Sequence, residues 1–168
     1  ISYFHVDAKY YGLLFGMNMI GVSSIGLFNR KMVTHYSLDK LLLFSTSTAI
    51  IGGIGLFLSA STGWGGIFGI IGFVFIIFSM NGIIASCTNA AALDAVPATM
   101  VGSAAAFMGA LQYGSGIISS LLLASFSTGT PFTMSWIMLL FVALSFVAII
   151  LNVKNKIITV ITKTIIAK

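Results

Sequence analysis

The chain has 168 residues, of which 58% are hydrophobic and only 7% are charged, and its mean hydropathy is +1.11. A soluble domain carries about 25% charged residues because water covers its surface, so this composition excludes a water-exposed globule and predicts a surface that faces a lipid bilayer. The formal net charge of +5 does not indicate nucleic-acid binding, since no soluble basic face with interleaved aromatic residues is present.

Five apolar segments follow one another along the chain, and each has about the 20 residues that a helix needs to cross a bilayer core. None of them contains Lys, Arg, Asp, Glu or His. The predicted membrane-spanning helices cover residues 10–29, 41–60, 66–90, 100–125 and 132–152. Barrel strands are excluded because the segments lack the alternation of apolar and polar residues that such strands show.

The connections between these spans are short and contain turn-forming residues. Residues 61–66 and 127–131 are rich in Gly, Ser and Thr, and Pro131 suits the first turn of a helix, where its missing N–H costs nothing. Pro97 disfavours helical geometry at Val96 and so separates the third span from the fourth. Consecutive spans are therefore predicted to run antiparallel.

One connection gathers charge in a chain that otherwise avoids it. Arg30, Lys31, Asp39 and Lys40 lie in the stretch LFNRKMVTHYSLDKLLL, residues 27–43. With five spans, this connection and the C-terminal tail lie on the same side of the membrane, and that side carries seven of the eight basic residues. Basic connections stay in the cytoplasm, so these four residues are predicted to fix the topology rather than to bind substrate.

The two ends of the chain receive separate interpretations. Residues 1–9 are predicted to lie outside the cytoplasm, and a further span is expected to precede them. Residues 153–168 are predicted to be cytoplasmic and mix isoleucine with lysine. Two interpretations of this tail stay open: an interfacial helix with its lysines near anionic head groups, or an extension without a role of its own.

No catalytic or metal-binding set is visible in the sequence. His5 and His35 fall on opposite sides of the membrane, and the three aspartates are too scattered to form a carboxylate pair. Serines are plentiful, but no His or acid stands within a span to activate one. Cys87 is the single cysteine and lies in an apolar run, which favours an inert packed residue over a reactive thiol. The sequence predicts neither an enzyme nor a cofactor.

Neutral polar side chains within the spans are costly in lipid and should face the interior of the bundle. Asn18, Asn81 and Gln112 are amides of the first, third and fourth spans, and one helix cannot fully satisfy an amide. The second and fifth spans carry hydroxyls, which can bond to their own helix. Neighbouring side chains could supply an adaptable apolar wall: Met17, Met80, Phe107, Met108 and Tyr113.

These eight residues are candidates for a substrate path, and the first, third and fourth spans are expected to form it. The alternative that stays open is that the amides hold helices together and that the other five side chains only pack. Small residues predict where helices approach each other closely. The glycines concerned are the pairs Gly12 with Gly16 and Gly65 with Gly69, together with Gly21, Gly26, Gly102, Gly109, Gly114 and Gly116.

Two stretches of the chain resemble one family of membrane transporters. YYGLLFGMNMIGVSSIGLFNRKMVTHYSLDKLL resembles the helix-eight and following loop region of the bicyclomycin/chloramphenicol resistance (Bcr/CflA) family. The matching residues are Tyr11, Gly12, Asn18, Gly21, Asn29 and Arg30. NAAALDAVPATMVGSAAAFMGALQYGSG is similar to that family's connection from helix ten to helix eleven. The matching residues are Asn89, Ala90, Gly102, Ser103, Ala104, Gly109, Gln112 and Gly116.

The family is a drug:proton antiporter branch of the major facilitator superfamily, and the resemblance covers residues 10–152. It implies an all-α fold in which five membrane helices form an incomplete C-terminal half of a twelve-helix bundle. It also implies efflux of small, largely apolar antibiotics in exchange for protons across a bacterial inner membrane.

The resemblance leaves the family's first seven helices and its proton-coupling residues unmatched. The chain is therefore expected to be inactive without a missing N-terminal half. The alternative function is that of a small stand-alone membrane scaffold or assembly protein without transport activity.

Overall fold

The computed structural model describes residues 9–126 and 129–166, and the side chains of residues 12–126, 129–155 and 158. Its long helices are α1 (Lys9–Met32), α2 (Leu38–Thr62), α3 (Gly66–Asp94), α4 (Val101–Ser125) and α5 (Pro131–Ile166), with a short 3-10 turn, Ala98–Met100, before α4. The described residues contain no strand. Five helices are long and apolar enough to cross a membrane, so the prediction of an all-helical protein with five such helices is confirmed.

The first two helices extend into the stretch that the sequence assigns to a charged loop. α1 continues through Arg30 and Lys31, and α2 begins one residue before Asp39. The connection between the two helices therefore shortens from the predicted residues 30–40 to residues 33–37. The physical reason is that cations near the last carbonyls of one helix, and a carboxylate near the first N–H groups of the next, stabilise both helix ends.

The last helix is also longer than the predicted span. α5 has 36 residues and continues past residue 152, where the fifth span was predicted to end. At 1.5 Å per residue its length is about 54 Å, compared with a bilayer core of about 30 Å. The tail is therefore helical as far as Ile166. Residues 1–8, predicted to lie outside the cytoplasm, and most side chains of the tail fall outside the described residues.

Four of the five long helices pack in the order α1, α3, α2 and α5. α3 packs against α1 and α2, and α2 also packs against α5. Gly52 of α2 faces Ile77 of α3. Gly52 lies ten residues before the end of α2 and Ile77 lies eleven residues after the start of α3, so the two helices are antiparallel. Gly53 of α2 faces Leu139 of α5. α4 differs from the others because none of its residues is buried and it packs only sparsely against α3 and α5.

The turn between α2 and α3 depends on glycines in the left-handed region of backbone conformation. Gly63 has a φ of 73° and Gly65 a φ of 74°, which side-chain-bearing residues rarely adopt. The Ser59 hydroxyl donates to the Trp64 carbonyl oxygen at 2.7 Å and closes the turn. Gly65, predicted to mediate helix packing, is thus a turn residue, whereas Gly69 does pack closely against Ser59.

α1 and α3 approach each other closely at Gly21 and Gly26 of α1, which were predicted to lie at such contacts, and at Gly82 of α3, which was not. A Cβ atom on Gly82 would lie 2.5 Å from the Val22 carbonyl oxygen and 3.1 Å from the Gly26 backbone nitrogen. By contrast, a Cβ on Gly12 or Gly16 would meet nothing within 4 Å. The predicted close-approach pair at the start of α1 therefore makes no such contact among the described residues, and the seam lies further along the helix.

A buried amide completes this seam near the end of α1. Asn29 is only 4% exposed, and its Nδ2 donates to the Ser86 hydroxyl oxygen of α3 at 2.9 Å. The same Nδ2 lies 3.4 Å from the Cys87 sulfur, and the Cys87 thiol is itself 1% exposed. Because a buried amide must find partners, this contact fixes α1 against α3 in one rotational position.

Candidate functional site

A cavity of about 480 Å³ lies among α2, α3, α4 and α5. It is open because α4 stands away from the other three helices, and its volume is within the range of small-molecule sites. We call it the inner cavity. Its lining residues are Thr46 and Ala49 of α2; Ile77, Phe78, Asn81 and Ile84 of α3; Gln112, Ser115, Gly116 and Ser119 of α4; and Ile137, Met138, Phe141, Val142 and Ser145 of α5.

Two amide side chains from different helices line the inner cavity. Asn81 belongs to α3 and Gln112 to α4. Neither side chain has a hydrogen-bond partner among the described residues, and both are exposed to the cavity or its surroundings. Each amide can donate two hydrogen bonds and accept two. Unpaired amides are costly away from water, so these two groups favour a ligand, or water, that can bond to them.

The hydroxyl groups of the cavity are largely committed to their own helices. Ser115 donates to the Gln112 carbonyl oxygen at 2.7 Å, and Ser119 donates to the Gly116 carbonyl oxygen at 2.9 Å. Thr46 donates to the Leu42 carbonyl oxygen at 2.6 Å. A hydroxyl that has donated its proton still accepts through its oxygen lone pairs. The lining therefore offers donors from the two amides and acceptors from the hydroxyls.

The remaining wall of the cavity is apolar and partly aromatic. Phe78 of α3 and Phe141 of α5 contribute rings, and Met138 contributes a flexible thioether side chain. Such walls bury the apolar body of a ligand, while a small number of polar groups fixes its orientation. Methionine adapts its shape more readily than branched side chains do, which suits ligands of more than one shape.

The inner cavity carries no charged lining. None of the described residues that line it is Lys, Arg, Asp, Glu or His. A charged ligand would lose its hydration there without gaining a partner charge, which is expensive away from water. Nor do the described residues contain a group of three His, Cys, Asp or Glu side chains that could hold a metal ion. The chemistry of this lining therefore selects uncharged ligands.

Of the eight substrate-path candidates, the structure brings Asn81 and Gln112 together in this lining. The other six are not among its lining residues. Met17 and Asn18 belong to α1, which does not border the cavity, and Phe107 and Tyr113 are 65% and 82% exposed on α4. The remaining two candidates are Met80 of α3 and Met108 of α4, and both side chains are half-buried outside this lining.

Asn18 instead satisfies part of its amide within its own helix. Its Nδ2 donates to the Leu14 carbonyl oxygen at 3.1 Å, while its Oδ1 is buried without a hydrogen-bond partner among the described residues. The expectation that one helix cannot fully satisfy an amide holds at this position. Asn18 does not line the inner cavity with Asn81 and Gln112, and its role in a substrate path stays a prediction.

The helices that border the cavity also differ from the expected set. The first, third and fourth spans are expected to form the substrate path, whereas α2 and α5 border the inner cavity and α1 does not. The reason is geometric: α1 packs on the far side of α3, and α5 packs along α2 next to the open space beside α4. A hydroxyl bonded to its own helix can still line a cavity, as Thr46 does.

A signal in the sequence could have identified the α4 contribution. Gln112, Ser115, Gly116 and Ser119 have the spacing i, i+3, i+4 and i+7, which places them on one face of a helix. In a membrane helix, a stripe of polar and small residues marks the face turned away from lipid. The contribution of α5 had no comparable signal, because Ile137, Met138, Phe141 and Val142 resemble a lipid-facing surface.

The four charged residues near the first connection lie away from this cavity. Arg30, Lys31 and Lys40 are exposed, and Asp39 is half-buried in the first turn of α2. None of them is among the lining residues of the inner cavity. Their position at helix ends agrees with a role in orientation, which remains a prediction.

Comparison with protein-family models, curated protein sequences and solved structures finds no significant match to this chain.

Proposed function

We propose that this chain is the ligand-binding part of a multipass membrane transporter for small, uncharged, amphipathic molecules. The observation that carries the proposal is the inner cavity, where the unpaired amides of Asn81 and Gln112 face an apolar wall between helices able to span a membrane. Such a lining holds a molecule by its hydrogen-bonding groups while burying its apolar surface. Transport needs a site of this kind within the bilayer.

The resemblance to the Bcr/CflA family supports a finer proposal, namely efflux of largely apolar antibiotics in exchange for protons. Proton exchange requires a group that can be protonated and deprotonated, and none of the described residues that line the inner cavity is of that kind. We therefore place proton coupling outside this cavity, in the N-terminal half that the resemblance implies as a partner of this chain.

Chloramphenicol is a suitable probe because it is uncharged, amphipathic and rich in hydrogen-bonding groups. Radiolabelled chloramphenicol should bind the purified chain in lipid nanodiscs, as measured by scintillation proximity. Replacing Asn81 or Gln112 by leucine removes the amide but keeps the bulk. Each change should weaken binding about three- to tenfold, the equivalent of one lost hydrogen bond of about 0.5–1.5 kcal/mol.

Asn89 provides the matched control for this experiment. It is an exposed amide of α3, two turns beyond Asn81, and it is not among the lining residues of the inner cavity. Asn89→Leu should leave the affinity for chloramphenicol unchanged. Equal losses for Asn81→Leu and Asn89→Leu would mean that the amides act through stability, and the absence of any binding by the unaltered chain would count against the proposed function.

The proposed location is a bacterial inner membrane, with the connection 33–37 and the C-terminus in the cytoplasm. Single cysteines at His35 and at Trp64, which are both exposed and lie at opposite ends of α2, test this orientation. In whole cells, a membrane-impermeant maleimide should label Trp64→Cys and should spare His35→Cys until the cells are opened. Labelling of His35→Cys in intact cells would reverse the proposed orientation.

One observation favours the alternative of a membrane assembly protein. α4 has no buried residue, and Cβ atoms on Gly102, Gly109 and Gly114 would meet nothing within 4 Å. Light scattering of the detergent-solubilised chain distinguishes the two functions. An oligomer that Gly109→Leu dissociates would favour assembly, because leucine would block close helix contact there. A single chain that binds chloramphenicol would favour transport.

A further inference from the structure

A second cavity, of about 390 Å³, lies among α2, α3 and α5 and is called here the outer cavity. It adjoins the inner cavity, because the two share three lining residues: Thr46 of α2, Ile84 of α3 and Ser145 of α5. These three residues come from three different helices and lie at the junction of the cavities. We call them the junction residues.

The outer cavity extends towards one particular end of the bundle. Its lining includes Leu42, four residues after the start of α2, and Ala92, two residues before the end of α3. These helix ends are on the same side as Arg30 and Lys31 at the end of α1, because α1 and α3 run parallel along their shared seam. The outer cavity therefore opens towards the basic end of the bundle, which is the predicted cytoplasmic side.

The two cavities together extend across much of a membrane. Along α5 the lining runs from Ile137 in the inner cavity to Asn152 in the outer one. A rise over 15 residues of helix corresponds to about 22 Å, or roughly three quarters of a bilayer core of about 30 Å. The two linings together therefore extend from the middle of the helices towards one end of the bundle.

Hydrogen-bonding groups recur along this length. Thr88 and Asn152 line the outer cavity, and both are exposed. Thr46 and Ser145 follow at the junction, and Asn81 and Gln112 come next in the inner cavity. As in the inner cavity, no described lining residue of the outer one is Lys, Arg, Asp, Glu or His. An uncharged molecule can therefore form hydrogen bonds with successive side chains as it moves along the two cavities. An ion would find no side chain of opposite charge in either lining.

We infer that the outer cavity is an access route by which uncharged amphipathic molecules pass between the basic end of the bundle and the inner cavity, through the junction formed by Thr46, Ile84 and Ser145. This inference rests on the proposed function for its physiological meaning. The route itself is a property of the helix packing, and it can be tested without any transported drug.

The test follows the alkylation of a cysteine placed inside the inner cavity. Ser115 lines that cavity and is exposed to it, so Ser115→Cys provides the target, in a chain where the buried Cys87 is replaced by alanine. The chain is reconstituted into liposomes and treated with N-ethylmaleimide, an uncharged reagent. Ser115→Cys should be labelled, and adding Ser145→Trp at the junction should slow the labelling about tenfold or more.

Leu144→Trp is the matched control, because Leu144 is exposed, adjacent to Ser145 and outside both linings. It should leave the labelling rate unchanged. A second pair of variants keeps the test valid if the Ser145 variant misfolds. Ala148 lines the outer cavity, so Ala148→Trp should slow the labelling. Val147 is exposed and outside that lining, so Val147→Trp should not slow it.

Two results would overturn the inference. In one, Ser115→Cys is not labelled at all, so that no route reaches the inner cavity. In the other, the tryptophans at Ser145 and Ala148 slow labelling no more than their neighbours do, so that the reagent arrives from lipid beside α4. Either result leaves chloramphenicol binding to be judged separately, since absent binding would refute the proposed function and not the route.

Discussion

Replacing Gly82 by alanine is expected to destabilise the protein by about 1–3 kcal/mol, the usual cost of adding atoms to a tightly packed contact. The new methyl group would lie 2.5 Å from the Val22 carbonyl oxygen and 3.1 Å from the Gly26 nitrogen. Both are backbone atoms, which cannot rotate away as the end of a long side chain can. α1 and α3 would therefore have to move apart along the seam that Asn29 also bridges.

Gly72 offers a control within the same helix. A Cβ at Gly72 would meet nothing within 4 Å, so Gly72→Ala adds no clash. Alanine is favoured over glycine in helices by about 1 kcal/mol, so this variant should be neutral or slightly stabilised. Titration of dodecylmaltoside micelles with sodium dodecyl sulfate, followed by circular dichroism, measures both free energies of unfolding. Equal values for the two variants would show that α1 and α3 do not meet at Gly82.

Gly82 also shows why helix packing was harder to predict than the helices themselves. A long apolar run predicts a membrane helix because the bilayer imposes the same length on every span. Which glycine lies at a contact depends instead on how two helices cross. Gly12 and Gly16 have the spacing of a helix-pairing motif yet face open space. Gly21, Gly26 and Gly82 lie at the contact between α1 and α3, and only the first two were predicted from the sequence.

The two asparagines of α1 illustrate the same limit for polar residues. Asn18 and Asn29 are eleven positions apart in one helix, and both carry an amide that lipid disfavours. Asn29 reaches across to Ser86 of α3, while Asn18 bonds to the Leu14 carbonyl oxygen of its own helix. Polarity in the sequence predicts that such a group needs a partner. It does not reveal whether the partner belongs to the same helix or another one.

The sequence identifies the amides of the candidate site by their chemistry, and Asn81 and Gln112 line the same cavity. Their role in binding a substrate stays a prediction. The apolar wall was not predictable, because Phe141 and Met138 have the same character as side chains that face lipid. Only the position of α5 beside α2 turns them towards the open space next to α4. The polar residues of the site can thus be identified from the sequence, whereas its apolar residues depend on how the helices pack.

Gly116→Phe is expected to abolish most ligand binding in the inner cavity, which depends on the space beside α4. Gly116 lines that cavity, and a Cβ there would meet nothing within 4 Å, so a phenylalanine ring can enter the space without displacing the backbone. The ring would occupy the volume next to Gln112 that a ligand needs. Chloramphenicol binding in nanodiscs should weaken at least about tenfold, or about 1.4 kcal/mol.

Gly114→Phe separates this effect from a general effect of the substitution. Gly114 lies in the same helix, a Cβ there would also meet nothing within 4 Å, and it is not among the lining residues of the inner cavity. Both variants lose a helical glycine and gain the same aromatic ring, so their helix propensities change equally. Gly114→Phe should therefore bind chloramphenicol as the unaltered chain does. If both variants bind normally, the ligand does not occupy the inner cavity; if both lose binding equally, α4 acts through its outer surface instead.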